Sequence, residues 1–165
     1  HPGTSKVERG WHAERFGILC QKLIKEDGMR LVLLGTEKES QLLNRIKNSS
    51  QAGAIKIIPP VNLRVLTGLL RKSRLFIGND SGMMHLAAMV GIPVLGIFGP
   101  GSPATTGPYM AMEKQELVTK NFSCSPCRQR FFKECQPSPL NKPYCLEDIT
   151  VKDVHEAVRR MLKRY

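Results

Sequence analysis

No apolar run in this 165-residue chain is long enough to cross a bilayer, so it carries no transmembrane helix. The G-x-G-x-x-G fingerprint is also missing, which speaks against a nicotinamide-dinucleotide domain. The glycine-dense stretch "GPGSP" (99–103) reads as too rich in proline to open a helix. There is no internal repeat. Acid is scarce: 14 Asp and Glu stand against 25 Lys and Arg, a formal charge of +11. Such a balance calls for an anionic partner, whether nucleic acid, a phosphorylated metabolite or an acidic membrane surface. The first residues, "HPGTS", show neither an initiator Met nor a signal-like run, and they read as a loop entered from an earlier part of a longer protein.

What is present alternates. Phe16, Leu19, Cys20, Leu23 and Ile24 follow helical spacing up to a stop at Gly28. "MRLVLLG" is a buried strand, "EKESQLLNRIKN" a helix, "AIKIIPP" a strand and "NLRVLTGLLRKS" a helix. "RLFIG" (74–78), the Ala/Leu/Met-rich run to Gly91-Ile92-Pro93, and "PVLGIFGP" form a β-α-β unit. After a Gly/Pro-rich loop, "ELVTK" is a last strand. A cysteine-bearing loop covers about 122–147, and a helix of about 151–164 presents Val151, Val154, Val158 and Met161. Thr150 and Asp153 have capping-box spacing. Strands alternating with helices predict one α/β domain, a Rossmann-like, doubly wound parallel sheet.

In such sheets ligands bind where a strand hands over to a helix, and here that place is Asp80-Ser81-Gly82. A helix N-terminus offers free amides and partial positive charge to a phosphate, and Gly82 has no side chain in the way. The plainer account is that Asp80 or Ser81 is an N-cap. His85 lies one turn further on the same face. Thr4, Ser5, Lys6 and Arg9 gather hydroxyls and positive charge before the first helix, suited to phosphate or to a solvated basic loop. Glu37, after the strand-ending Gly35, stands where an acid accepts a bond from a ribose hydroxyl, or where it simply favours a helix start.

Cys124 and Cys127 form C-x-x-C, and Cys135 and Cys145 follow in the same loop, while Cys20 falls on an apolar helix face. Four such thiols suit a structural zinc ion. A disulfide-bearing loop in an oxidising compartment, or four free thiols, are the alternatives.

Taken together these pieces resemble glycosyltransferase family 9, the ADP-heptose:lipopolysaccharide heptosyltransferases. "IGNDSGMMHLAAMVGIPVLGIFGPGSPATTGPY" carries the likeness, with "HPGTS", a basic residue two before Trp11, Glu37 and "CSPC … C … CLEDIT" in the same order. The family usually has Lys two residues before the Trp, and Arg9 stands there in this chain.

The resemblance implies the C-terminal, donor-binding half of a GT-B glycosyltransferase, with the acceptor domain lying outside this chain. It implies an inverting transfer from an ADP-heptose-like donor to a lipopolysaccharide core acceptor, with the catalytic base in the other domain and none here. Donor contacts would come from Thr4, Ser5, Lys6, Arg9, Glu37, Asp80, Ser81, Gly82 and His85. No cofactor is expected for the chemistry and no nucleic-acid partner. The location would be cytoplasmic, peripheral to the inner membrane. The rival is a non-catalytic basic module whose cysteine loop holds zinc and whose charge binds nucleic acid, a reading that leaves Asp80-Ser81-Gly82 and His85 unused.

Overall fold

A computed structural model describes residues 1–125 and 127–165; Pro126, inside the C-S-P-C motif, lies outside the described residues. The order is α1 (Ala13–Lys25), β1 (Leu31–Leu33), α2 (Ser40–Ser49), β2 (Ile55–Ile57), α3 (Leu63–Arg71), β3 (Phe76–Asn79), α4 (Gly82–Val90), β4 (Val94–Ile97), α5 (Pro103–Thr106), β5 (Gln115–Val118), α6 (Tyr144–Glu147) and α7 (Val151–Leu162). Short 3-10 turns occupy Val7–Arg9, Glu37–Glu39 and Met112–Lys114.

Every strand pairing is parallel, as the alternation predicts. The ladder comes in two sections: β1 with β2, and β3-β4-β5. Phe76 and Asp80 bond toward β4, so Ile77 faces the other way, and its carbonyl accepts from the His1 nitrogen at 2.9 Å. Residues at the start of the chain therefore occupy that side of β3.

All four residues of β4 are buried, the mark of a strand covered on both faces. Leu95 and Ile97 join a core with α1, α2 and α7, while Val94 and Phe98 join a second core with Leu70, Phe76, Met84 and Ala87. Side chains alternate across a strand, so two cores on one strand mean helices on both sheet faces. This is the doubly wound arrangement. α1 buries Phe16, Leu19, Cys20 and Leu23, leaving Ile24 at the margin. α4 closes on Gly91 at φ 86°, a left-handed cap for which glycine has no steric penalty.

Four local expectations need correction. β1 is not a buried strand: Val32 is exposed and, of its three residues, only Leu33 is buried. Pro103 does open a helix, the four-residue α5: proline at the first helical position lacks only an N–H that would be unpaired there anyway. The cysteine segment is not loop throughout, because Cys145 and Leu146 are buried on α6. The last helix stops at Leu162, two residues short. The Thr150/Asp153 capping box is as predicted: Asp153 accepts from the Thr150 amide at 2.7 Å and donates its own amide to the Thr150 hydroxyl at 3.1 Å.

Candidate functional site

The chain's first eleven residues are stitched over the C-terminal end of β3. Asn79, fully buried, donates from its side-chain amide to the Pro2 carbonyl at 2.7 Å and accepts from the Trp11 amide at 3.1 Å. That clamp sets the Val7–Arg9 turn above the strand end. Arg9 donates to the Asp80 carboxylate, and the Thr106 hydroxyl donates to the same oxygen at 3.3 Å. Asp80 is only 7% exposed. A Cβ on Gly101 would sit on that oxygen, so residue 101 has to be glycine for Asp80 to turn inward. Asp80 thus points its carboxylate at Arg9 and holds the guanidinium in place.

Beside this pair α4 begins. Ser81 is its N-cap residue by position but makes no side-chain cap bond, and its hydroxyl oxygen is buried with no partner. Nε of Arg9 is buried and unpartnered as well. The plain capping account of Ser81 therefore fails. Buried polar atoms without partners are rare, and a cluster of them at a binding site is commonly completed by a ligand. The first amides of α4 have no acceptor within the helix and carry its positive dipole end. Gly82 is exposed, and a Cβ there would meet nothing within 4 Å. Donors, dipole, guanidinium and open space converge at one point. The chemistry they suit is an anion, phosphate above all.

The other sequence candidates lie around this point without contacting it. Thr4 donates to the Lys6 carbonyl at 2.6 Å, Ser5 is exposed, and Lys6 Nζ stands 5.6 Å from the centre of the Phe131 ring. His85 is half-buried one turn into α4. Glu37 is exposed on its turn. Its neighbour Glu39 takes the helix-start role, accepting from the Thr36 amide at 2.6 Å and hydroxyl at 2.9 Å. Glu37 is not needed for that role. No hydrogen bond or ion pair among the described residues joins Glu37 or His85 to the Arg9–Asp80 pair.

Sequence reading missed Asn79, Thr106 and Glu39. Thr36-x-x-Glu39 was a legible capping signal. A lone asparagine ending a buried strand hinted at Asn79, while nothing local marked Thr106.

The segment after β5 braces the same loop. The Trp11 indole donates to the Ile149 carbonyl at 2.9 Å, Lys142 Nζ donates to the Val7 carbonyl, and Arg15 pairs with Glu147. His12 Nε2 lies 2.9 Å from Glu147; a carboxylate only accepts, so that nitrogen carries the proton. Burial lowers the His12 pKa below its ordinary 6.5, outweighing the pull of Glu147. Burial pushes the Glu147 carboxyl up, but its bond from Ser138 and the charges of His12 and Arg15 bring it below its ordinary 4.5. The unfolded chain protonates His12 more readily than the folded one. The contribution of His12 to stability is therefore complete above pH 6.5 and declines as pH falls through it, with Glu147 extending the loss below pH 4.5. His12→Gln should flatten the decline between pH 7 and 5 in melting curves; an unchanged slope would assign it to other groups.

Cys124, Cys127, Cys135 and Cys145 line one cavity of about 430 Å³ together with Arg128, Arg130, Phe131 and Pro100. All five cysteines are free thiols, so the disulfide alternative does not describe this structure. Among the described residues, no three His, Cys, Asp or Glu side chains stand at metal-ligand distances. Nor is any helix among them long and apolar enough to cross a membrane.

The parallel sheet with helices on both faces defines a Rossmann-like domain, open where β3 hands over to α4. The chain belongs to glycosyltransferase family 9 (heptosyltransferase), whose profile matches residues 1–136. It is 32% identical over 167 residues to lipooligosaccharide heptosyltransferase 2 of Campylobacter jejuni, an alignment covering 99% of this chain and 50% of that protein. Among solved structures it superposes on Escherichia coli ADP-heptose lps heptosyltransferase II with a TM-score of 0.78 at 22% identity, covering 99% of this chain and 45% of that one. The Escherichia coli heptosyltransferase WaaC with ADP gives a TM-score of 0.73 at 20% identity, covering 97% and 42%. The chain spans about half the length of the C. jejuni relative.

Proposed function

We propose that this chain is the donor-binding domain of an inverting heptosyltransferase of lipopolysaccharide core synthesis, and that its ligand is ADP-heptose or a close ADP-sugar. One observation carries the reading: Arg9, held by Asp80, stands beside the open N-terminus of α4, where the Ser81 hydroxyl is buried without a partner. The relatives' names and the ADP in the WaaC structure support the choice of nucleotide.

In the transfer, an acceptor hydroxyl displaces ADP at the anomeric carbon with inversion. Negative charge grows on the departing phosphate, and fixed donors aimed at it lower the barrier. Arg9 and the first amides of α4 supply those donors here. The base that takes the acceptor proton belongs to the domain outside this chain. No metal or other cofactor takes part in this step. The charge of +11 suits a phosphorylated lipid acceptor and an anionic leaflet, hence peripheral attachment at the cytoplasmic face of the inner membrane.

Offering the protein ADP, NAD and an oligonucleotide in separate melting experiments tests this. ADP should raise the melting temperature and the other two should not. Stabilisation by the oligonucleotide that collapses steeply with salt would instead establish the basic nucleic-acid module. Glu37→Ala should weaken ADP by about tenfold, the worth of one hydrogen bond to a charged group, and leave pyrophosphate unaffected or slightly tighter. Equal losses in titration calorimetry would remove Glu37 from the ribose.

A further inference from the structure

Of the helices of nine residues or more, α3 is the least enclosed, with Leu70 alone buried. We infer that α3 and the segment leading into it form a docking surface for an anionic lipid bilayer, with Arg64, Arg71 and Lys72 on the headgroups and Val61, Leu63 and Val65 dipping past them. This gives the peripheral attachment named above a place in the fold. It rests on that part of the reading and not on the nucleotide site.

Charge comes first. Between Glu39 and Asp80 the chain has no acidic residue and seven Lys and Arg. Arg45 pairs with Glu14, and Arg74 donates to the Leu162 carbonyl at 3.2 Å. Lys56, Arg64, Arg71 and Lys72 are exposed, and no ion pair among the described residues holds them. Helical spacing puts Arg64, Gly68, Arg71 and Lys72 on one side of α3, opposite Leu66 and Leu70, which pack on the core beneath.

Apolar exposure comes second. Residues 59–65, "PPVNLRV", are exposed without a break, Leu63 by 63%. Asn62 caps α3, accepting from the Val65 amide at 3.0 Å, and so fixes this tip. The strands add to the patch. Leu33, Ile55 and Ile57 pack on the core that holds α1 and α7, so alternation turns Val32 and Lys56 toward the α3 side. Both are exposed there, opposite each other in the β1–β2 register. Exposed apolar side chains among unpaired cations complement a bilayer, which is negative at its surface and apolar beneath. A nucleic acid would use the charge and leave Leu63 and the valines in water. A second copy of the chain would set like charges against each other.

The test is flotation of the purified protein with phosphatidylcholine vesicles, with and without phosphatidylglycerol. Binding should require the anionic lipid and fade as salt is raised. Arg64→Gln/Arg71→Gln/Lys72→Gln should weaken it roughly a hundredfold, since each cation at the surface is worth about fivefold. Lys25→Gln/Lys152→Gln/Lys163→Gln removes the same charge from α1 and the α7 end, across the sheet, and should cost much less. Leu63→Trp emission should shift to the blue on anionic vesicles, against the constant signal of buried Trp11. Every altered side chain is exposed, so melting temperatures should hold in all three variants. Equal losses in the two triple variants, or an unshifted Leu63→Trp emission, would overturn this surface and leave the attachment standing. No binding to anionic vesicles would overturn both, and a solution dimer abolished by the first triple variant would then give the face to a second copy. If ADP stabilises no form of the protein while the vesicle results hold, the nucleotide reading fails and the surface stands.

Discussion

Gly82→Val should abolish ADP binding in a protein that is otherwise folded. Gly82 is the first residue of α4, is exposed, and has nothing within 4 Å of where a Cβ would be. The substitution therefore meets no clash, and at a helix start it costs less than about 1 kcal/mol in propensity. What it does fill is the space above the first amides. A phosphate there would lose at least two charge-assisted bonds, each worth about 1.5–3 kcal/mol, so affinity should fall by more than about a hundredfold. Titration calorimetry alongside circular dichroism and thermal melting checks both halves of the statement. Undiminished ADP affinity in a folded variant would move the phosphate elsewhere.

Asp80→Ala should damage stability and binding together, and for one reason. The Arg9 and Asp80 side chains are 18% and 7% exposed, so removing the carboxylate strands a largely buried cation. Breaking such a pair typically costs about 3–5 kcal/mol. In a domain of this size that lowers the melting temperature by roughly 10 °C. Adding Arg9→Met to Asp80→Ala removes the stranded charge. The double variant should regain much of the lost stability but none of the ADP affinity, because the proposed reading has the guanidinium meet the phosphate. Recovery of binding in the double variant would show that Arg9 serves only the fold.

The sequence displayed the elements because apolar periodicity and stop residues act locally. Buried strands such as β4 and the amphipathic α1 and α7 were legible for that reason, and so was the handover at residues 80–82. Pro103 misled because proline's effect depends on position: it breaks a helix interior and is welcome at the first turn. The inward turn of Asp80 was not legible. It depends on Arg9, 71 residues away, on Thr106, and on the missing side chain of Gly101. Local spacing marks that an acid sits at a strand end; only packing decides whether its carboxylate faces ligand or protein. The cysteines were legible as a set but not as the wall of one cavity, since loop spacing does not say which sulfurs meet.

Asn79 has a consequence for how the domain comes apart. The two ladder sections share no strand pairing, and this one buried amide bonds the chain start on one side while β3 bonds β4 on the other. One core, with Leu33 and Ile55 beside Leu95 and Ile97, runs beneath both sections, while at the surface the Arg9–Asp80 pair ties the chain start to the end of β3. A phosphate bound by Arg9 and the first amides of α4 would add a second tie between the two. Amide exchange at Trp11 and along β3 would slow together on binding, by the linkage that lets any ligand of the closed form suppress the open one.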